Sequence, residues 1–429
     1  MPFRFVHTAD IHLDSPLRSL ALRDPALADL IGGATRAAFV ATVEVCLSER
    51  VDALMIAGDL YDGSQTSMKT AAFLAAELHR LHTAGIQTFI VRGNHDAESK
   101  ITRELVLPES VRVFTGRAEC HVLPGAADGR DVAVHGISFA QPHAPESLLP
   151  KFKAAAPDAL NIGLLHTSLG GAPGHDTYAP CSVTDLMATG FDYWGLGHIH
   201  ARTVHRAAGP AIVMPGQPQG RDINEAGAKS VTLVSIDGGG SIALDERITA
   251  RAQFARVPVA VDGVEDWRAL LDRIETALSQ ARVAAPCEHL VARLHLTGET
   301  PLAWRIRVDG DLLQVEARLR ADRIGATWIE AIETDVRPPR TTMPATGAAN
   351  PAQELRALVA EDVVPSASFQ TLAREIAEEV RDQLPRDARA LFGTDEAAFA
   401  AVLADLIDGG AEEVLAHLHG SESQPERDA

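Results

Sequence analysis

The first 250 residues alternate short apolar runs with amphipathic stretches. Phe3–Thr8, Ala53–Ala57, Thr88–Val91, Val132–Phe139 and Asn161–His166 are runs of strand length bounded by polar or glycine positions, the pattern of strands buried on both faces. Between them, Thr35–Arg50 and Ser67–Ala84 carry helical spacing, the second with Ala71, Leu74, Leu78 and Leu81 on one face. Ile212–Met214 and Val231–Ile236 add two strands before the Gly238–Gly240 run. Strands alternating with helices predict an α/β layered domain, central sheets flanked by helices, over residues 1–250.

The pattern changes near Arg251. Trp267, Leu270, Leu271, Ile274 and Leu278 mark an amphipathic helix, and Leu290–Leu296 and Thr327–Thr334 read as strands. Asp311–Arg323 carries an alternating Leu313, Val315, Ala317, Leu319 series, yet its Leu/Glu/Arg/Ala content and the following Gly325 favour a helix. We read 251–340 as a small α+β domain and the proline-rich 341–351 as a linker. Residues 352–419 read as helices only. One stripe is Phe369, Leu372, Ile376, Val380 and Leu384; the other is Phe399, Val402, Leu403, Leu406 and Ile407, stopped by Gly409-Gly410. Residues 420–429 read as a disordered tail.

Charge qualifies which partners to expect. The formal net charge of the 429 residues is -19, the opposite of the usual nucleic-acid binder. The excess is uneven: residues 351–429 hold 6 Lys+Arg against 17 Asp+Glu. Net charge bears on association and solubility rather than on the chemistry of a site. Four scattered cysteines without a CxxC pair, an N-terminus without an apolar signal core, and no run approaching the roughly 18–20 apolar residues of a membrane helix predict a soluble, cytoplasmic protein that does not enter a membrane.

The candidate chemistry lies at the ends of the apolar runs. Asp10-Ile11-His12, Gly58-Asp59, Gly93-Asn94-His95-Asp96, His166 and Gly197-His198-Ile199-His200 place metal-ligand side chains directly after strands, where open α/β sheets build sites. If the D-x-H and H-x-H segments are extended, both side chains of each project to the same face. Carboxylate, imidazole and amide oxygen suit borderline or hard divalent ions. Seven such ligands exceed the needs of one ion, whereas two ions about 3.5–4 Å apart sharing a carboxylate would use them and clamp a phosphoryl group. A lone D-x-H, or a lone GNHD turn with Asp96 capping a helix, has an ordinary structural explanation. Five segments in order with complementary ligands do not.

These residues resemble the calcineurin-like metallophosphoesterases, whose pattern is D-x-H, G-D, G-N-H-[D/E], H and G-H-x-H. The resemblance implies one ion held by Asp10, His12, Asp59 and His200 and another by Asp59, Asn94, His166 and His198, with a hydroxide between them as nucleophile. It also implies that His95 stabilises or protonates the transition state and that Asp96 orients it. HTADIHLDSP, GDLYD, residues 215–237 and, more weakly, LVARLHLTGETPL at 290–302 resemble the nuclease subunit of SbcCD-type DNA-repair complexes, in the YhaO-like branch. The likeness covers roughly residues 3–340. It implies a DNA exo/endonuclease using Mn²⁺, with Fe²⁺, Zn²⁺ and Mg²⁺ as alternatives. It further implies a capping domain and C-terminal helices that dock an SbcC/YhaN-like coiled-coil ATPase, with a homodimer as an option. Where some recombination nucleases of the family have a histidine three residues after the bridging aspartate, this chain has Asp62.

Two other readings stand beside it: a phosphoesterase acting on a cyclic nucleotide or phosphoprotein, and a scaffold subunit with a vestigial site. About 180 residues beyond the catalytic part speak against the first, and the complete ligand set against the second. His7, His79, His82 and His135 fall on strand or helix patterns and read as core or surface residues. Asp14 reads as a turn or cap residue. Arg92, Arg221 and His175-Asp176 lie close enough to the motifs to meet a substrate, although a structural role is the simpler reading of each.

Overall fold

The computed structural model describes residues 1–15, 25–62, 67–98, 106–170, 178–339 and 351–422. His175-Asp176, the body of the 341–351 linker and the end of the 420–429 tail lie outside the described residues.

Two six-stranded sheets make the first compact unit. The strands are β1 (Phe3–Thr8), β2 (Ala53–Ala57), β3 (Gln87–Val91), β4 (Val111–Val113), β5 (Glu119–Ala127), β6 (Arg130–Gly136), β7 (Leu160–His166), β8 (Tyr193–Gly197), β9 (Thr203–Arg206), β10 (Ala211–Met214), β11 (Ser230–Ile236) and β12 (Ile242–Ile248). One sheet has the order β12-β11-β1-β2-β3-β4 and the other β5-β6-β7-β8-β10-β9. The central pairs β1–β2, β2–β3, β6–β7 and β7–β8 are parallel, so their C-terminal ends lie side by side.

The continuous apolar runs have a direct cause: both faces of these strands are buried. Phe3, Phe5, Met55, Phe89 and Val91 pack with Val132, Val134, Leu160, Ile162, Leu164 and Val213 between the sheets. The alternate residues Val6, Leu54, Ile56 and Ile90 face Phe39, Val43 and Cys46 of the helix Ala34–Glu49 and Leu74, Leu78 and Leu81 of the helix Met68–Thr83. Each such leucine taken from water contributes about 1.5–3 kcal/mol. His7, facing inward on β1, bonds the Tyr193 hydroxyl at 2.9 Å, and burial with the nearby Arg202 charge pushes its pKa down to about 3. It is a core histidine.

One correction concerns the membrane reading. Pro25–Glu49 is 25 residues long and holds an 18-residue window with a mean hydropathy of 1.5, enough by length and composition to cross a membrane. Its second part supplies Phe39, Val43 and Cys46 to the sheet core, which accounts for that apolarity in a folded domain.

The chain divides into Met1–Arg256, Ser279–Arg293 and Gly325–Glu330 as one compact unit and Val257–Leu278, Leu294–Ile324 and Ala331–Ala429 as a second. The division runs through β13 (Ala252–Ala260), β14 (His289–Glu299) and β15 (Thr327–Arg337), which form a three-stranded sheet in that order. The ambiguous segment is the helix Gly310–Ile324, with Leu313, Ala317 and Ala321 buried and Val315 and Leu319 exposed. Spacing of four, not two, decided its buried face.

In the tail, Ser366 caps the helix Ala367–Gln383 by accepting a hydrogen bond from the Phe369 backbone N–H. The expected stop at Gly409-Gly410 is not observed; the helix Glu396–Glu422 continues through both glycines. Interior glycine costs a helix about 1 kcal/mol and does not by itself end it. The stripes also divide differently from expectation. Ala377, Phe399 and Leu403 are buried together, while Leu372, Ile376 and Val380 are 56%, 54% and 46% exposed.

Candidate metal centre

Every candidate ligand sits at the C-terminal edge of the parallel strands. Asp10 and His12 follow β1, Asp59 follows β2, Asn94 follows β3, His166 ends β7, and His198 and His200 follow β8. The side chains meet there. Ligand atoms of Asp10, His12 and His200 lie within 4.8 Å of one another, as do those of Asp10, Asp59 and His166. Asn94 Oδ1 is 3.0 Å from His166 Nε2, and the His198 ring centroid is 5.2 Å from that of His166. Asp10, His12, Asp59 and His166 are almost fully buried.

The backbone achieves this convergence by a route that alternation does not describe. Asp10, His12 and Asp59 have φ of 50°, 46° and 50°, and His198 has φ 107°. The D-x-H segment is therefore not extended. It is held in the left-handed region by Asp10 N–H donating to the Gly58 carbonyl and His12 N–H to the Asp59 carbonyl, both at 3.0 Å. Such conformations cost about 1–3 kcal/mol each and persist where surrounding bonds impose them. The glycines leave the room: a Cβ on Gly93 would lie 2.2 Å from Asp59 Oδ1, and one on Gly58 2.2 Å from His166 Nδ1.

Three of the imidazoles, His166, His12 and His200, have one nitrogen tied away from the centre. His166 Nδ1 bonds the Ala57 carbonyl at 3.0 Å, directing Nε2 toward Asn94 Oδ1 and Asp59 Oδ2, the latter at 3.4 Å. His12 Nδ1 bonds Asp62 Oδ1 at 2.7 Å and His200 Nδ1 bonds Glu225 Oε1 at 2.8 Å. With both Nδ1 atoms donating to carboxylates, the Nε2 atoms of His12 and His200 present lone pairs to each other across 3.3 Å. Either a shared proton or a metal ion bound by both satisfies two lone pairs at that separation. The residues present fit a divalent metal.

The acids and bases shift one another accordingly. Burial raises the Asp10 pKa, and repulsion from Asp59 adds to it against the pull of His166 and His200. Burial would raise Asp59 as well, but the His166 charge and hydrogen bond outweigh it and hold that carboxyl well below the usual range. Burial would depress His166, yet Asp59 and Asp10 raise it to about 9. Without metal, the cluster recruits a proton to offset its negative charge.

Asp96 does not orient His95. Its buried carboxylate accepts the backbone N–H groups of Leu60, Tyr61 and Gly93 at 3.1, 3.0 and 3.2 Å, tying the β2 and β3 loops together. Burial and the Asp59 charge still raise its pKa to about 6. The carboxylate facing His95 belongs to Asp62, whose Oδ1 is 3.7 Å from His95 Nδ1. His95 itself is anchored by its backbone N–H donating to Asp59 Oδ1 at 3.1 Å, while its side chain remains 45% exposed. Asp14 bonds Arg36 and Thr70 and joins a loop to two helices. Arg221, a candidate phosphate contact, is engaged instead with Glu225 at 2.7 Å. Glu225 carried no motif signal; only its place inside the 215–237 likeness marked that stretch.

Comparison with known proteins agrees with this geometry. The calcineurin-like phosphoesterase family model matches residues 3–202, and the model of the metallophosphoesterase YhaO middle domain matches residues 254–337. The chain is 32% identical over 299 residues to the metallophosphoesterase YhaO of Bacillus subtilis, covering 69% of this chain and 72% of that protein. It is 24% identical over 346 residues to the DNA double-strand break repair protein Mre11 of Sulfurisphaera tokodaii, covering 76% of this chain and 86% of that protein. The chain belongs to the calcineurin-like metallophosphoesterases, on their YhaO-like branch. It is a hydrolase of phosphoester bonds, from a family that works with divalent metal ions.

Proposed function

We propose that this protein is a Mn²⁺-dependent DNA exo/endonuclease that works in DNA repair with an ABC-type coiled-coil ATPase subunit. The observation that supports it most is the convergence of seven ligands at the strand ends, beside an accessible His95 that groups with His12 and Asp62 rather than with Asp10. Asp10, His12, Asp59 and His200 would hold one ion and Asp59, Asn94, His166 and His198 a second. Two bound divalent ions supply Lewis-acid polarisation of a phosphoryl oxygen and acidify a water. In this assignment Asp59 would belong to both ligand sets, whereas the Asp10–His12–His200 and Asp10–Asp59–His166 clusters share Asp10, and the glycines at 58 and 93 leave the space open. His95, with Asp62 behind its Nδ1, is placed to give a proton to the leaving oxygen. DNA as substrate draws support from the relatives named for DNA double-strand break repair.

The test compares linear duplex DNA with bis-p-nitrophenyl phosphate, with and without Mn²⁺. Metal-dependent cleavage of both is expected. Hydrolysis of the small diester, a cyclic nucleotide or a phosphoprotein without cleavage of DNA, even with the ATPase present, would replace this reading by the small-substrate one.

Proton competition gives a second prediction. His166 cannot ligate through Nε2 while protonated, and the metal-free protein raises its pKa to about 9. Metal binding must therefore release a proton below that pH. Apparent Mn²⁺ affinity should rise by about tenfold per pH unit between pH 6 and 8 and flatten towards 9. Calorimetric titrations across that range would show the slope, and a flat profile would remove His166 from the ligand set.

The tail is proposed as the ATPase dock. Leu372, Ile376 and Val380 are spaced by four on the helix Ala367–Gln383 and exposed, an arrangement suited to a partner's groove. Because the helix Glu396–Glu422 packs against Ala303–Val308, removing the whole tail would disturb more than docking. Leu372→Glu with Ile376→Glu should instead abolish capture of the ATPase subunit while diester hydrolysis stays within about twofold, as surface changes usually leave folding intact. Undiminished capture would place the dock elsewhere.

A further inference from the structure

Among the described residues, three groups of ligand atoms lie close enough to hold an ion, Asp10–His12–His200, Asp10–Asp59–His166 and His12–Asp62–His95, and the two that share Asp10 are backed by different chemistry. At the His166 side, the imidazole is oriented by a neutral backbone carbonyl, that of Ala57. At the His12–His200 side, each imidazole donates to a carboxylate, Asp62 at 2.7 Å and Glu225 at 2.8 Å. One guanidinium closes this second arrangement. Arg221 Nη2 bonds Glu225 Oε1 at 2.7 Å, Arg221 N–H donates to Glu225 Oε2 at 2.7 Å, and Arg221 Nη1 lies 3.9 Å from Asp62 Oδ1 and 3.4 Å from Ser15 Oγ. Asp62 and Glu225 are only 15% and 12% exposed, so solvent screens these ion pairs incompletely.

The physical consequence follows from the order of contacts. A carboxylate behind Nδ1–H fixes the tautomer, aims the ring and makes Nε2 a stronger donor, an effect worth about 10–100-fold in metal affinity when removed. Two bare carboxylates so close to the centre would also repel one another and could swing inward to occupy ligand positions. The Arg221 fork holds Glu225 by hydrogen bonds and, 3.9 Å from Asp62, offsets part of the charge of both, a task its planar geometry suits and a lysine's point charge does not.

We infer that Asp62, Arg221 and Glu225 form a positioning clasp for His12 and His200, and that it makes the Asp10–His12–His200 site the tighter of two unequal metal sites, the first to fill. The inference rests on the two-ion reading of the site. In the two-ion reading the three residues stand behind the ligands and act through the imidazoles, with Asp62 also within 4.8 Å of His12 and His95 ligand atoms. The clasp is specific to one side of the centre because Arg221 and Glu225 come from a single turn after β10, ending in the one-turn helix Ile223–Glu225.

Calorimetric titration of the full-length protein with Mn²⁺ alone tests this. The wild type should show two phases of different affinity. Glu225→Gln should weaken the tighter phase by about 10–100-fold and leave the weaker one unchanged, with Glu225→Asp recovering part of the loss. The melting temperature in excess EDTA should be little changed, which separates positioning from a general structural role. If Glu225→Gln does not fold, Asp62→Asn probes the same clasp from its other end and should move the same phase. A wild type that binds no ion would overturn the two-ion reading and the clasp with it. Two phases that shift together, or neither shifting, would overturn the clasp alone.

Discussion

Asp59→Asn should abolish the paired metal site and lower diester hydrolysis by on the order of 10³-fold or more, the loss expected when several kcal/mol of metal-supplied transition-state stabilisation disappears. Asp59 belongs to the Asp10–Asp59–His166 cluster and also reaches the His95 backbone, with Oδ2 3.4 Å from His166 Nε2 and Oδ1 3.1 Å from His95 N. The substitution removes charge while sparing the fold for two reasons. Asparagine tolerates the left-handed φ of 50° that this position adopts, and its amide oxygen still accepts the His95 N–H. Mn²⁺ titration should fall from two sites to one or none. Two unchanged sites would show that Asp59 is not shared.

His95→Ala should separate proton transfer from metal binding. The side chain lies half in solvent and groups with His12 and Asp62, outside the proposed ligand set, so its removal opens no core cavity and costs no proposed ligand. Both Mn²⁺ phases should survive, while kcat falls by about 10²–10⁴-fold, the usual contribution of a positioned acid or base. A diester with a good leaving group, which needs little protonation, should lose less than one with a poor leaving group. Equal losses on both would assign His95 to binding, and near-native turnover would make it structural. The corresponding change at Asp96 should look different. That carboxylate satisfies three buried backbone N–H groups, and Asp96→Ala would strand them at about 1–3 kcal/mol each, an effect on stability before catalysis.

Much of the catalytic unit was legible before any coordinates. Strands such as Ala53–Ala57 announce themselves because burial on both faces admits only apolar residues, and the ligands announce themselves because their types and order recur after successive strands. Weaker elements were not legible. Strand β9 has all four residues exposed, β12 is mostly exposed, and neither carries an apolar run to read. Gly409-Gly410 looked like a helix stop, but helix ends are set by capping and context as much as by composition.

The site divides along the same line. Residue type and local order determined by themselves which side chains offer ligands and that they stand at strand ends. Only the tertiary structure decided how the backbone presents them: Asp10 and His12 converge through left-handed residues pinned to the neighbouring loop, not through extended alternation. It also decided which acid serves which base. Asp96 adjoins His95 in sequence yet points into the β2 loop, while Asp62 reaches His12 across 50 positions and Glu225 reaches His200 across 25. Local pattern records the period of burial along one segment. It holds no record of which two segments the sheet order brings within 3 Å, and hydrogen-bonded partners of the ligands are chosen at that distance.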